Sequence, residues 1–278
     1  METVAIVGVG LIGGSFALAL RKSGYAGRII GVSSDRTLAA AKQRGVIDEG
    51  LPLDQAVPQA DLVYLAHPIG RILDLLPLVA RLARPTALVT DAGSTKTAIV
   101  ARAGEVFSAG ATFLGGHPMA GKAERGVEVA EAELFRNGTY VLTPADAALP
   151  DSERVRCLCR WIEKMGAHLV VMSPEAHDAV VAFTSHLPQM ASTALASLLL
   201  DQLPASSSWR VAGGGLRDTT RLAASAYELW RDICLTNADN IDRALSAYIG
   251  KLENIRRNLR DHSLEEEQVP FGDVLPDT

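Results

Sequence analysis

The chain has 278 residues, enough for one large domain or two smaller ones. Hydrophobic residues make up 48% and charged residues 21%, the balance of a soluble globular protein, and a net charge of −5 argues against a nucleic-acid surface. No apolar run reaches the ~18 residues of a membrane span and no charged leader precedes one, so neither a membrane segment nor a secretory leader is expected. Three cysteines, Cys157, Cys159 and Cys234, form no C-x-x-C pair, which fits buried free thiols in a reducing cytoplasm. The six histidines show no metal-ligand spacing, so no metal is expected.

Residues 3–15 read TVAIVGVGLIGGS. Val4, Ala5, Ile6 and Val7 suit a strand buried on both faces, and residues 15–20 suit a helix. Between them Gly8, Gly10 and Gly13 stand at G-x-G-x-x-G spacing around Leu11 and Ile12. A strand that turns on glycines into a helix offers free backbone N–H groups and the positive end of the helix dipole to a pyrophosphate. In this reading Gly8 permits the turn, Gly10 lets phosphates approach, and Gly13 lets the helix pack on the strand.

Arg28–Val32 reads as a second buried strand. Where dinucleotide-binding folds usually place an acid for the ribose 2′-OH, this chain has Ser33 and Ser34, followed by Asp35 and Arg36. Two hydroxyls and a guanidinium suit a 2′-phosphate, so NADP is expected ahead of NAD. In the alternative, Asp35 takes the ribose and Arg36 is solvated.

A helix over 37–44 ends near Gly45. An apolar run at 61–66 leads to His67 and Pro68, a helical pattern covers 73–82, and TALVT at 86–90 is strand-like. Strands alternating with helices in this rhythm predict a doubly wound parallel sheet, with ligands beyond the carboxyl ends of its strands. Three tips therefore matter: His67-Pro68, DAGSTK at 91–96, and FLGGHPMAG at 113–121. In the second, Ser94 or Thr95 is expected to cap a helix over 96–103. In the third, glycines hold His117 where its imidazole can accept a proton beside a dinucleotide. Residues 139–143 and 167–172 supply further strands.

Ser173-Pro174-Glu175 then starts a helix, and no strand is expected beyond it. Helices are expected at 174–187, 189–203, 216–224, 226–243 and 247–260. Ser206 to Ser208 and Gly213 to Gly215 read as hinges. The domains expected are 1–172 for the dinucleotide, 173–262 as a helical substrate and dimerisation domain, and an acidic frayed tail at 263–278. The apolar stretch ASTALASLLL at 191–200 calls for a partner, here a second copy of the chain.

GVGLIGGS, DAGSTK, GGHPMAG, YVLTP, SHLPQ and GLRDTTR, in this order, resemble the prephenate/arogenate dehydrogenases of tyrosine biosynthesis. The resemblance runs from the first strand to about Arg260. It implies an α/β dinucleotide domain, an all-α dimerisation domain, a homodimer, and oxidative decarboxylation of prephenate or arogenate with NADP or NAD. It implies His117 as the base, with Ser94 orienting hydroxyl or imidazole. His186 in SHLPQ is implied at the side-chain end of the substrate. Arg217, with Gly214 and Gly215 beside it, is implied at a substrate carboxylate; the alternative for Arg217 is an ion pair with Asp218 or Asp232. His67 and Pro68 join the cofactor contacts, although His67 stands where the family more often has a small or hydroxyl residue and can instead cap the turn. Leu216 replaces the more usual Phe. Trp230 can wall the pocket or pack in the core. No regulatory domain of the kind some members carry is expected, so any tyrosine inhibition is expected at the active site.

Overall fold

The computed structural model describes residues 1–107, 110–122, 124–146, 148–203 and 208–261. The chain begins β1 (Thr3–Val7), α1 (Leu11–Lys22), β2 (Arg28–Val32), α2 (Asp35–Gln43), β3 (Glu49–Gly50), α3 (Leu53–Ala56), β4 (Leu62–Leu65) and α4 (Ile69–Leu82). It continues through β5 (Leu88–Asp91), α5 (Thr97–Val106), β6 (Thr112–Pro118), β7 (Thr139–Thr143), α6 (Glu153–Lys164) and β8 (His168–Val171). These strands form one sheet in the order β3-β2-β1-β4-β5-β6-β7-β8.

Side chains alternate across a strand, and β1 shows why it sits at the centre. Val4 and Ile6 pack with Phe16, Tyr64 and Leu158 on one face. Ala5 and Val7 pack with Val63, Leu76 and Val89 on the other. With helices on both faces, the sheet has the expected doubly wound form. It departs from all-parallel at one place: β7 runs antiparallel to β6, pairing His117 with Val141 and Pro118 with Tyr140. His117 therefore lies inside a strand rather than in a loop beyond its tip.

After β8 come α7 (Pro174–Val181), one π-helical turn (Ala182–His186), α8 (Leu187–Gln202), α9 (Gly214–Thr220), α10 (Tyr227–Thr236) and α11 (Ala238–Arg260), with no further strand among the described residues. Ser173 caps α7 by accepting from the Ala176 amide at 3.1 Å, with Pro174 at the first position. Pro188 does not break the helix as expected: it falls at the second position of α8, directly after the π-helical turn. The break expected near 244–246 lies instead at Asn237. The tail at 263–278 and the hinge serines Ser206 and Ser207 lie outside the described residues. No helix among the described residues is long and apolar enough to cross a membrane. The three cysteines are free and half-buried rather than buried.

Polar contacts join the helices after β8 to the sheet, two of them at α10. The Asp232 carboxylate accepts from the Gly70 amide at the start of α4, at 2.9 Å. The Thr95 and Thr236 hydroxyls meet at 2.7 Å. Thr95 is thus an inter-element contact and not a helix cap.

Candidate functional site

The glycine loop follows from three local constraints. Gly8 has φ +100°, and a Cβ there would stand 2.5 Å from the Ala66 carbonyl at the end of β4. A Cβ on Gly13 would stand 2.1 Å from the Gly8 carbonyl, so only glycine lets α1 lie this close to the turn. Around Gly10 the space is open, with nothing within 4 Å of a Cβ. Gly10 is also the N-cap of α1 and supplies no side-chain cap, so the first-turn amides face an open surface. That combination fits the phosphates of a dinucleotide.

Beside the loop lies a cavity of about 350 Å³, within the ~300–1,000 Å³ usual for small-molecule sites. Its walls come from the ends of the sheet, the loop after β6 and one helix. The glycine turn gives Gly10, Leu11 and Ile12, and the end of β4 gives His67 and Pro68. The β5–α5 turn gives Gly93 and Ser94, and β6 gives His117 and Pro118. Lys122, Glu124 and Arg125 follow on the next loop, and α10 closes the far side with Glu228 and Leu229. An Arg125–Glu228 ion pair of 3.7 Å bridges loop and helix. Ser94 does not cap α5: the amides of Lys96 and Thr97 donate instead to the Asp178 carboxylate, at 2.7 and 2.9 Å. Ser94 is left half-buried on the cavity wall. His67 does not cap its turn either; Pro68 is the N-cap of α4. Burial, with Arg71 nearby, lowers the His67 pKa.

Behind His117 is a buried polar cluster. Its Nδ1 lies 2.8 Å from Nε2 of His177, and Nδ1 of His177 lies 2.8 Å from the Asp178 carboxylate. The Lys96 ammonium is fully buried; it pairs with Asp91 and donates to the Gly116 carbonyl at 2.8 Å. Asp91 in turn accepts from the Gly116 and Gly93 amides at 3.1 and 2.8 Å. Burial, with His177, Lys96 and His186 adding to it, holds the His117 pKa well below the usual histidine range. Burial lowers Lys96 too, and its partner Asp91 opposes this. Burial would raise Asp178, but hydrogen bonds from His177, Thr97 and Lys96 outweigh it and leave the pKa lowered.

The remaining expected residues fall in three places. Gly8, Gly10, Leu11, Ile12, Gly13, His67, Pro68, Ser94 and His117 converge on the loop and cavity. Ser34 caps α2, accepting from the Thr37 amide at 3.4 Å, while Ser33 lies beside it and Arg36 is exposed. The expected substrate residues do not line the cavity of the single chain. His186 is buried, 3.2 Å from the Asn237 side-chain nitrogen and edge-on to Trp230. Trp230 thus packs on His186 and the core, not on the cavity wall. Gly214, Gly215 and Arg217 lie exposed on α9. Arg217 makes no ion pair among the described residues, and Asp232 pairs instead with Arg231 at 2.7 Å. Sequence reasoning missed Lys96, His177, Asp178, Glu228 and Leu229. The signal for two of them was a His-Asp pair within two turns of the Ser173 cap, the usual place for an exposed first-turn face.

Comparison with known proteins bears on the family and the fold. The family model described as prephenate dehydrogenase, nucleotide-binding domain, matches residues 16–171. That described as prephenate dehydrogenase, dimerization domain, matches residues 173–269. A prephenate dehydrogenase of Bacillus subtilis is 38% identical over 95% of this chain and 72% of its own length. The A. aeolicus prephenate dehydrogenase, solved in complex with hydroxyphenyl propionate and NAD+, is 33% identical, covers 96% of this chain and 93% of its own, and superposes with a TM-score of 0.86. The Synechocystis arogenate dehydrogenase is 34% identical, covers 94% and 92%, and gives a TM-score of 0.79. This chain belongs to the prephenate dehydrogenase family.

Proposed function

We propose that the protein oxidatively decarboxylates prephenate or arogenate, with His117 as the base and NADP preferred over NAD. The observation that carries this is a buried histidine in the wall of a cavity that also contains the open face of the glycine loop, where burial lowers its pKa. The substrate is a cyclohexadiene with a ring carboxylate and a C4 hydroxyl. The bound dinucleotide, held at Gly8, Gly10, Leu11, Ile12 and Gly13, supplies the hydride acceptor. His117 takes the hydroxyl proton, and CO₂ leaves as the ring becomes aromatic. Ser94, on the same wall, orients the hydroxyl. The largely apolar lining keeps water from the reacting carbon.

For the two substrate carboxylates, Lys122 and Arg125 are the cations on the cavity wall, and Arg217 on α9 remains a proposal with His186, Gly214 and Gly215. Arg217→Ala is expected to raise KM for the cyclohexadiene at least tenfold without changing dinucleotide affinity, the loss of one charge-assisted bond. An unchanged KM would move the role to Lys122 and Arg125.

The preference for NADP is supported by Ser33, Ser34 and Arg36 at the end of β2, where Arg36 is exposed and free to turn. Arg36→Ala should weaken NADP binding by about 1.5–3 kcal/mol and leave NAD nearly unchanged. Titration of both dinucleotides checks this, and a higher kcat/KM with NAD in the unaltered protein would refute it. The free cysteines support a reducing, cytoplasmic location. The exposed apolar side chains after β8 support a homodimer joined through the helical domain.

A further inference from the structure

His117 lines the cavity, and one of its ring nitrogens is engaged behind it. His117 Nδ1 faces His177 Nε2 at 2.8 Å, with the two rings nearly perpendicular at 71° and their centroids 5.0 Å apart. His177 Nδ1 faces the Asp178 carboxylate at 2.8 Å. His177 and Asp178 are each only 1% exposed. Asp178 is fixed from every side. Its carboxylate accepts from the Lys96 and Thr97 amides, and its backbone carbonyl accepts from Asn237 Nδ2 at 2.8 Å.

With both imidazoles neutral, hydrogen-bond bookkeeping leaves one consistent assignment. An ionised carboxylate only accepts, so His177 carries its proton on Nδ1. A neutral imidazole has one N–H, so His177 Nε2 is an acceptor. His117 must then donate from Nδ1, and its lone pair is on Nε2, on the side of the ring away from His177. The groups facing His117 are His177 from α7, Lys96 from the turn before α5 and His186 from the π-helical turn. The anions are one residue further away: Asp178 behind His177, and Asp91 on Lys96.

We propose that His177, held by Asp178, is a positioning residue that fixes His117 in the tautomer with a free Nε2 toward the cavity. The proposal rests on the reading of His117 as the base. When His117 takes the substrate proton at Nε2, its Nδ1–H stays in place and the bond to His177 becomes charge-assisted. Without His177, the ring is free to place its proton on Nε2 and lose its basic face to the substrate.

Two variants and one measurement on the unaltered protein test this. His177→Leu removes the acceptor and should lower kcat about 100-fold with dinucleotide affinity unchanged, as expected for a base left in the wrong tautomer. His177→Gln offers a side-chain carbonyl to the same Nδ1–H and should recover activity to within about tenfold of the unaltered enzyme. In a His117→Asn background, His177→Leu should cost nothing further, because it acts through His117. Proton-detected ¹⁵N spectra of the unaltered protein should show His117 protonated at Nδ1 and bare at Nε2. The inference is overturned by a proton on Nε2, by a His177→Leu enzyme within about threefold of normal, or by an additive double variant. If His177→Leu does not fold, the glutamine variant and the spectra decide. Near-normal turnover by His117→Asn alone would sink the base itself, whereas loss with His117→Asn but not with His177→Leu would sink only the positioning role.

Discussion

The base role proposed for His117 rests on where β6 puts it. Burial and the positive charge of Lys96 make its protonated form costly, so the imidazole is neutral at physiological pH. The acid limb of kcat/KM should therefore fall well below the ordinary histidine range, and activity should hold as pH drops through 6.5 before it declines. A limb centred at or above 6.5 would mean that another group titrates. The sequence disclosed this residue through its flanking glycines, and the same logic found Ser94 and Gly10. It did not disclose Lys96. A lysine after Ser94 and Thr95 reads as a solvated first-turn residue, and only the fold shows Asp91 and the Gly116 carbonyl closing around it.

Among the elements, the β1–α1 turn separates what a glycine does for the fold from what it does for a ligand. Gly10 has open space and a negative φ of −94°, so Gly10→Ala should leave Tm unchanged while weakening dinucleotide binding. Gly13 has a carbonyl 2.1 Å from any added carbon, so Gly13→Ala should lower stability by about 1–3 kcal/mol as well. Thermal denaturation and dinucleotide titration of the two variants check this; a drop in Tm for Gly10→Ala would show that its face is not open. The strands were legible because β1, β4 and β5 are short apolar runs buried on both faces. α6 was not read, although Val155, Leu158 and Ile162 mark its buried stripe at helical spacing; arginines and acids crowd the rest of it. β7 was read as a strand but its antiparallel direction was not, because a buried run such as TYVLT carries no sign of strand direction.

Across the whole molecule, the unevenness lies in the helices after β8. Leu198 and Leu200 on α8, Leu235 on α10, and Ile249, Leu252 and Leu259 on α11 are all exposed, at 46–74%. Sedimentation or light scattering should find a dimer, and Leu252→Glu with Leu198→Glu should shift it toward monomer. The same region should contribute to the loss of stability in acid. Burial, with His177 adding and Asp178 opposing, lowers the His186 pKa from 6.5 to about 4. The unfolded chain then binds a proton that the folded chain refuses. Stability should be highest above pH 6.5 and fall by up to about 3 kcal/mol as pH drops to about 4, and His186→Asn should flatten that slope.

The central claim is tested most directly by offering prephenate and arogenate to the protein and to His117→Asn, with NAD and with NADP, and measuring reduced dinucleotide and CO₂ together. The account predicts one CO₂ for each dinucleotide reduced with at least one of the two substrates, and a fall of about 100-fold or more in the variant. Reduction without CO₂, no turnover with either cyclohexadiene, or an equally active His117→Asn would contradict it.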